Sequence, residues 1–140
     1  MDKATQGHAV CVIPARKGSK RLPLKNICLV KGRPLIAYSI VAALRTGLFD
    51  KVYVATDDEK IAAIARQYGA TVPVLMPVDL CGDTVPSWVP CMHVIDYLSA
   101  SEHLEFAQLV CLQPTSVLRT SEDIAKGITV FFEGKFDFLM

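Results

Sequence analysis

A chain of 140 residues that is 51% hydrophobic and 21% charged can bury one core and is too short for two full domains. It has no apolar run near the roughly 18 to 20 residues that cross a bilayer, and its opening, MDKATQGHAV, lacks a long apolar secretory segment. The expectation is a cytoplasmic protein without membrane attachment. The net charge of +1 conceals an asymmetry, because between Lys3 and Phe49 stand nine Lys or Arg residues and no Asp or Glu. Such a block marks contact with phosphates, either of a nucleic acid or of a small molecule.

Residues 1–7 read as a disordered tail before a single domain of residues 8–140. AVCVIPA, starting at Ala9, is apolar at consecutive positions, as in a strand buried on both faces. It runs into IPARKGSKRLPLKN at residues 13–26, where Arg16, Lys17, Lys20, Arg21 and Lys25 surround Gly18, Ser19 and Pro23 without a carboxylate. Pro34 suits a first helical position, after which Leu35, Tyr38, Val41, Ala42 and Arg45 advance at helical spacing to a stop at Gly47. KVYVAT, starting at Lys51, is a second strand. DDEKIAAIARQYG is a helix with acids at its start, Ile61, Ile64, Ala65 and Tyr68 on one face, and Gly69 at its close.

TVPVLM, starting at Thr71, has the composition of a further strand, and SWVPCMHVIDYLSA reads as a helix from about Val89, with Pro90 in its first turn. AQLVCL, starting at Ala107, is another buried strand. SEDIAKGITVFFEG is a helix capped by Thr120 or Ser121, and FDFLM closes the chain as a strand. The alternation of strand, loop and helix predicts an α/β domain with a parallel sheet covered by helices.

In such a sheet the strand C-termini share one edge, where ligands of open α/β folds bind. The loop of residues 16–26, the pair Asp57 and Asp58, the segment DLCGDTVPS, and QPTSVLRT are therefore candidate walls of one pocket. In the first loop, Gly18 lets backbone approach a ligand closely, Ser19 adds a hydroxyl, and Arg16, Arg21 and Lys25 bring charge to phosphate oxygens. A triphosphate fits this description; the competing reading is a solvated loop. The Walker A and dinucleotide glycine patterns are both absent. A nucleic-acid module is disfavoured, because the cations sit in one glycine-containing loop rather than along a helix or among aromatic platforms.

In QPTSVLRT, Gln113, Thr115, Ser116 and Arg119 offer the amide, hydroxyl and guanidinium groups that recognise a polyhydroxylated acid. The alternative is a strand-to-helix turn whose hydroxyls cap the next helix. Asp57 and Asp58 suit either a metal or base role or the start of a helix. His93 reads as a hydrogen-bonded helix residue rather than a catalyst. Cys11, Cys28, Cys81, Cys91 and Cys111 are odd in number and form no C-x-x-C pair, which predicts reduced structural thiols and no metal site.

IPARKGSKRLPLKN, VYVATDDEKIAAIARQYGA and VCLQPTSVLRTSEDI together resemble the CMP-N-acetylneuraminate (N-acylneuraminate) cytidylyltransferases, the CMP-nonulosonic acid synthetase family, over residues 10–140. The resemblance implies a three-layer α/β/α, Rossmann-like nucleotide-diphospho-sugar transferase fold with a mostly parallel sheet, here truncated at its C-terminus. It implies that the anomeric hydroxyl of a nonulosonic acid attacks the α-phosphate of CTP and releases pyrophosphate, with magnesium as the divalent cation. Arg16 and Lys25 would be catalytic. Arg16, Gly18, Ser19, Arg21, Lys25, Asn26, Val85 and Ser87 would bind the nucleotide, the last two reading cytosine partly through backbone groups. Gln113, Thr115, Ser116 and Arg119 would bind the sugar acid.

The metal carboxylates of the family fall beyond residue 140, so no metal ligand is expected within this chain, and the full-length relatives imply a homodimer. Two positions depart from the family pattern: Met76 stands before Pro77 where many relatives carry arginine, and Val117 replaces the proline usual after QPTS. Alternative readings are an inactive or fragmentary CTP- or CMP-sugar-binding module, and a nucleotidyltransferase for a 3-deoxy-sugar or a sugar phosphate.

Overall fold

The computed structural model describes residues 9–18, 22 and 24–134. The tail of residues 1–7, the terminal strand in FDFLM, and Ser19 and Arg21 of the first loop lie outside the described residues. In chain order, β1 (Ala9–Pro14) leads through a 3-10 turn (Lys25–Ile27) to a two-residue ladder, β2 (Leu29–Val30) against β3 (Arg33–Pro34). Then come α1 (Leu35–Arg45), β4 (Val52–Ala55), α2 (Glu59–Gln67), a second 3-10 turn (Val78–Cys81), α3 (Trp88–Glu102), β5 (Gln108–Cys111) and α4 (Ser121–Gly134).

β1 is the central strand of a parallel sheet in the order β4-β1-β5, with Ile13 opposite Val54 and Val10 opposite Leu109. Successive side chains of a strand point to opposite faces, and here both faces are covered. Cys11, Ile13, Val52 and Val54 pack with Ile36 and Ile40 of α1, Ile61 and Ala65 of α2, and Ile124 and Ile128 of α4. Val10, Val12, Tyr53 and Ala55 pack instead with Cys91, Val94 and Leu98 of α3. The result is a three-layer α/β/α arrangement, and it explains why β1 is apolar at every position rather than at alternate ones. Among the described residues no helix is long and apolar enough to cross a membrane.

Three local expectations change. Pro34 ends β3 in an extended conformation (φ −55°, ψ 141°) and so precedes the first helical residue rather than occupying it. The buried face of α1 is formed by Ile36, Ile40 and Ala43, whereas Tyr38 and Val41 are half-buried and Arg45 is exposed. Tyr38 turns to the β2–β3 ladder, donating its hydroxyl to the Val30 carbonyl beneath the Arg33 guanidinium, 5.8 Å from its ring centre. TVPVLM contributes a single parallel bridge and no strand: Thr71 N donates to Val52 O at 2.8 Å and Val54 N to Thr71 O at 3.0 Å. Pro73 has no N–H with which to continue that ladder.

α4 begins at a reciprocal cap. Thr120 N donates to Asp123 Oδ2 at 3.0 Å, and Asp123 N donates to Thr120 Oγ1 at 3.1 Å. Ser121, the other predicted cap, instead donates its hydroxyl to Ala42 O at 2.8 Å, fastening α4 to α1. The backbone N–H of Thr120 and then its hydroxyl hold the Asp123 carboxyl below the ordinary carboxylate value.

Ile13→Ala, which opens a cavity at the centre of the sheet, should cost about 2–5 kcal/mol in urea unfolding, while Lys51→Ala on the exposed surface should stay within about 0.5 kcal/mol. Because the Asp123 pKa is depressed on folding, its contribution is complete above the unfolded carboxylate value and is lost as pH falls through the folded one. Urea unfolding between about pH 5 and pH 2 should therefore show a steeper loss for the native chain than for Asp123→Asn.

Candidate functional site

The parallel register brings the C-terminal ends of β1, β4 and β5 to one edge. Ala15 N still donates to Ala55 O at 2.8 Å, one residue beyond β1, and the first loop leaves the sheet from there. Its two ends are tied together. Asn26, buried in the 3-10 turn, donates Nδ2 to Arg16 O at 2.9 Å, and Leu24, in left-handed conformation (φ 56°), donates its N–H to Lys17 O at 3.4 Å.

The segment after β4 supplies the underside of this loop. Asp57 Oδ1 accepts from Lys17 N at 2.8 Å. Asp58 caps α2 by accepting from Ile61 N at 3.0 Å, with Lys17 Nζ 4.0 Å from its other oxygen. Both aspartates thus serve backbone donors, Asp58 in the helix-start role. Among the described residues no three His, Cys, Asp or Glu side chains converge as a metal site would require.

Between the loops lies a cavity of about 240 Å³. Arg16, Gly18, Lys25 and Asn26 line it from the first loop, Cys81, Asp83, Val85 and Ser87 from the segment leading into α3, and Gln113 and Thr115 from the turn after β5. Three stretches far apart in sequence therefore meet in one place, as the shared sheet edge requires. Two polar bridges cross between the walls: the Arg16 guanidinium pairs with the Asp83 carboxylate, and Gln113 Nε2 donates to Ser87 Oγ at 2.7 Å. Asp83 and Cys81 fall in the DLCGDTVPS segment, flagged as a wall, but no motif singled them out. Burial, reinforced by nearby Asp57, pushes the Cys81 thiol up to about 11, so it is no nucleophile at neutral pH.

Ser116 and Arg119 do not line the cavity. Ser116 N closes a turn onto Gln113 O at 3.2 Å. Arg119 Nη2 reaches back to the same carbonyl at 3.0 Å and to Ser39 Oγ of α1 at 3.2 Å, and Ser39 Oγ itself lies 3.3 Å from Gln113 O. Burial lowers the Arg119 pKa. Ser39, a buried polar residue inside an apolar helix face, is a member of this support that helical spacing alone does not reveal. Met76 is buried in the apolar cluster between the sheet and α3, where it offers the cavity no polar group.

Comparison with known proteins places these features in a wider set. Residues 10–137 match the family model described as cytidylyltransferase. The chain is 44% identical over 124 residues to the CMP-N,N'-diacetyllegionaminic acid synthase of Legionella pneumophila, covering 86% of this chain and 52% of that protein. It is 36% identical over 130 residues to the pseudaminic acid cytidylyltransferase of Campylobacter jejuni, covering 93% of this chain and 56% of that protein. The chain thus spans about half the length of the curated relatives it matches. In fold it is similar to a CMP:2-keto-3-deoxy-manno-octonic acid synthetase solved with CTP, at a TM-score of 0.71 and 24% identity over 91% of this chain and 48% of that one.

The Arg119 bridge is open to direct test. Arg119→Lys keeps the charge but cannot offer two planar donors, so Ser39 and the Gln113 carbonyl lose a shared partner. The expected loss is about 1–3 kcal/mol in thermal or urea unfolding.

Proposed function

The chain belongs to the cytidylyltransferase family, and we propose that it carries the nucleotide-binding part of an enzyme that transfers CMP from CTP to the anomeric hydroxyl of a nonulosonic acid. In this reaction the anomeric oxygen attacks the α-phosphorus, an O–P bond forms as the bond to the bridging β-phosphate oxygen breaks, pyrophosphate leaves, and the hydroxyl proton passes to solvent. The observation that carries the reading is the convergence of the cationic loop and the Gln113 turn on one cavity at the strand C-termini.

Arg16 and Lys25, joined by Ser19 and Arg21, hold the triphosphate and stabilise charge on the departing pyrophosphate. The Gly18 backbone permits close approach. Asn26 keeps Arg16 in place through its carbonyl and borders the nucleotide. Val85 and Ser87 read the cytosine. Gln113 and Thr115 face the sugar acid, and Ser116 and Arg119 act one step behind them by fixing the Gln113 carbonyl. Asp83 pairs with the guanidinium that the phosphates would claim, so nucleotide binding would exchange one carboxylate for a more highly charged anion.

The magnesium of such reactions finds no convergent set of three His, Cys, Asp or Glu ligands among the described residues. What the chain's own residues supply is placement and charge, which this reaction can use without a covalent nucleophile.

Titration calorimetry with CTP and magnesium tests the nucleotide site. Arg16→Ala should weaken CTP binding about 10- to 100-fold, and an unchanged affinity would remove the site as assigned. Pyrophosphate release should require CTP and a nonulosonic acid; a strict preference for UTP with a sugar 1-phosphate would replace this reaction with another.

A further inference from the structure

Cys91 and Cys111 are 20 positions apart in sequence, yet their sulfurs lie 3.8 Å from one another where α3 crosses the end of β5. Cys91 is fully buried in the early turns of α3, and Cys111, the last residue of β5, is half-buried. We propose that this thiol pair is an oxidation site that closes to a disulfide under a peroxide and thereby tightens the Ser87 and Gln113 wall of the cavity. The consequence for nucleotide binding rests on the function proposed above; the chemistry of the pair does not.

The geometry supports closure. A disulfide needs about 2.05 Å between sulfurs, and the two side chains already face each other across a helix–strand contact. Neither thiol lines the cavity, but their neighbours do: Pro90 precedes Cys91, and Gln113 follows Cys111 by two positions. Cys91 Sγ lies 3.5 Å from the carbonyl of Ser87, whose hydroxyl accepts the Gln113 amide. Drawing Cys91 toward Cys111 therefore pulls on both partners of that bridge.

The two thiols are chemically unlike. The hydrogen bond with Cys91, then that with Ser87 and the charge of Arg119, lower the Cys111 pKa against the effect of burial. The same contact with Cys111, followed by burial, raises that of Cys91. Cys111, half-buried and so the more accessible to peroxide, is the attacking sulfur, and the fully buried Cys91 is the resolving one. The Cys111 thiolate attacks one peroxide oxygen; the S–O bond forms, the O–O bond breaks, and the departing hydroxide takes a proton from solvent to become water. Sulfur has given two electrons to the peroxide. The Cys91 thiol, 3.8 Å away, then attacks the sulfenic sulfur as its proton passes to the departing oxygen. The S–S bond forms, the S–O bond breaks, and hydroxide leaves with the Cys91 proton as a second water. The sum is two thiols and one hydrogen peroxide giving one disulfide and two waters. Burial raises the thiols of Cys11 and Cys81, which makes them poor competitors for the oxidant.

The test is to treat the reduced chain with hydrogen peroxide, alkylate the remaining thiols and map the peptides without reduction. The expected product is a Cys91–Cys111 link that dithiothreitol reverses and that either Cys111→Ser or Cys91→Ala abolishes; two variants guard against one failing to fold. Amide hydrogen exchange across residues 87–94 should slow at least about threefold on oxidation and recover on reduction. Alkylation of both cysteines after peroxide, conversion of Cys111 to a sulfinic acid, or a link that leaves exchange unaltered would overturn the proposal. CTP calorimetry on both forms is the separate arm: absence of binding in the reduced and oxidised states alike would count against the proposed function alone.

Discussion

The parallel pairing of β1 with β4 on one side and β5 on the other is the constraint from which the remaining features follow. Parallel strands need crossovers, and those crossovers lay α1 and α2 on one face of the sheet and α3 on the other, with α4 after β5 packing beside α1 and α2. With both faces covered, every side chain of the central strand must be apolar or small. With the three described strands of the sheet running the same way, every loop that leaves one of their C-termini must emerge on one edge. The burial that stabilises the fold and the convergence that builds the cavity therefore have a common origin.

At that edge, polar groups are arranged in linked pairs rather than left to solvent. The Gln113 carbonyl gathers the Ser116 N–H and the Arg119 guanidinium, and its amide spans the cavity to Ser87. On the opposite side Asn26 and Asp57 immobilise the backbone from which Arg16 projects. A loop carrying several cations and no carboxylate would repel itself if left unsupported. Here carboxylates from the segments after β4 and before α3 offset that charge, Asp57 and Asp58 beneath the loop and Asp83 across the cavity.

Much of this was legible in the chain itself, for identifiable reasons. Consecutive apolar positions in AVCVIPA and KVYVAT predicted strands buried on both faces, and caps and stops bounded the helices to within a residue or two. The first loop and QPTSVLRT were recognisable because cations, glycine and amides there had no apolar periodicity to serve. Errors arose where a local preference met a tertiary competitor. Pro34 has the fixed φ of a helix start but was drawn into a strand pair, and TVPVLM has strand composition but a proline where the ladder needed a donor. On α1, helical spacing admitted more than one apolar face, and the sheet chose Ile36 and Ile40 over Tyr38 and Val41.

The sequence by itself determined the fold class, the family and the identity of the segments that form the cavity, because hydrophobic period and residue chemistry are local properties readable one segment at a time. Only the tertiary structure decided which of those residues meet. It set Arg119 behind the cavity rather than in it, recruited Ser39 from an apolar helix, paired Arg16 with Asp83, and brought Cys91 within reach of Cys111. These are contacts between segments distant along the chain, fixed by how helices dock on the sheet, and no spacing within a single motif encodes them.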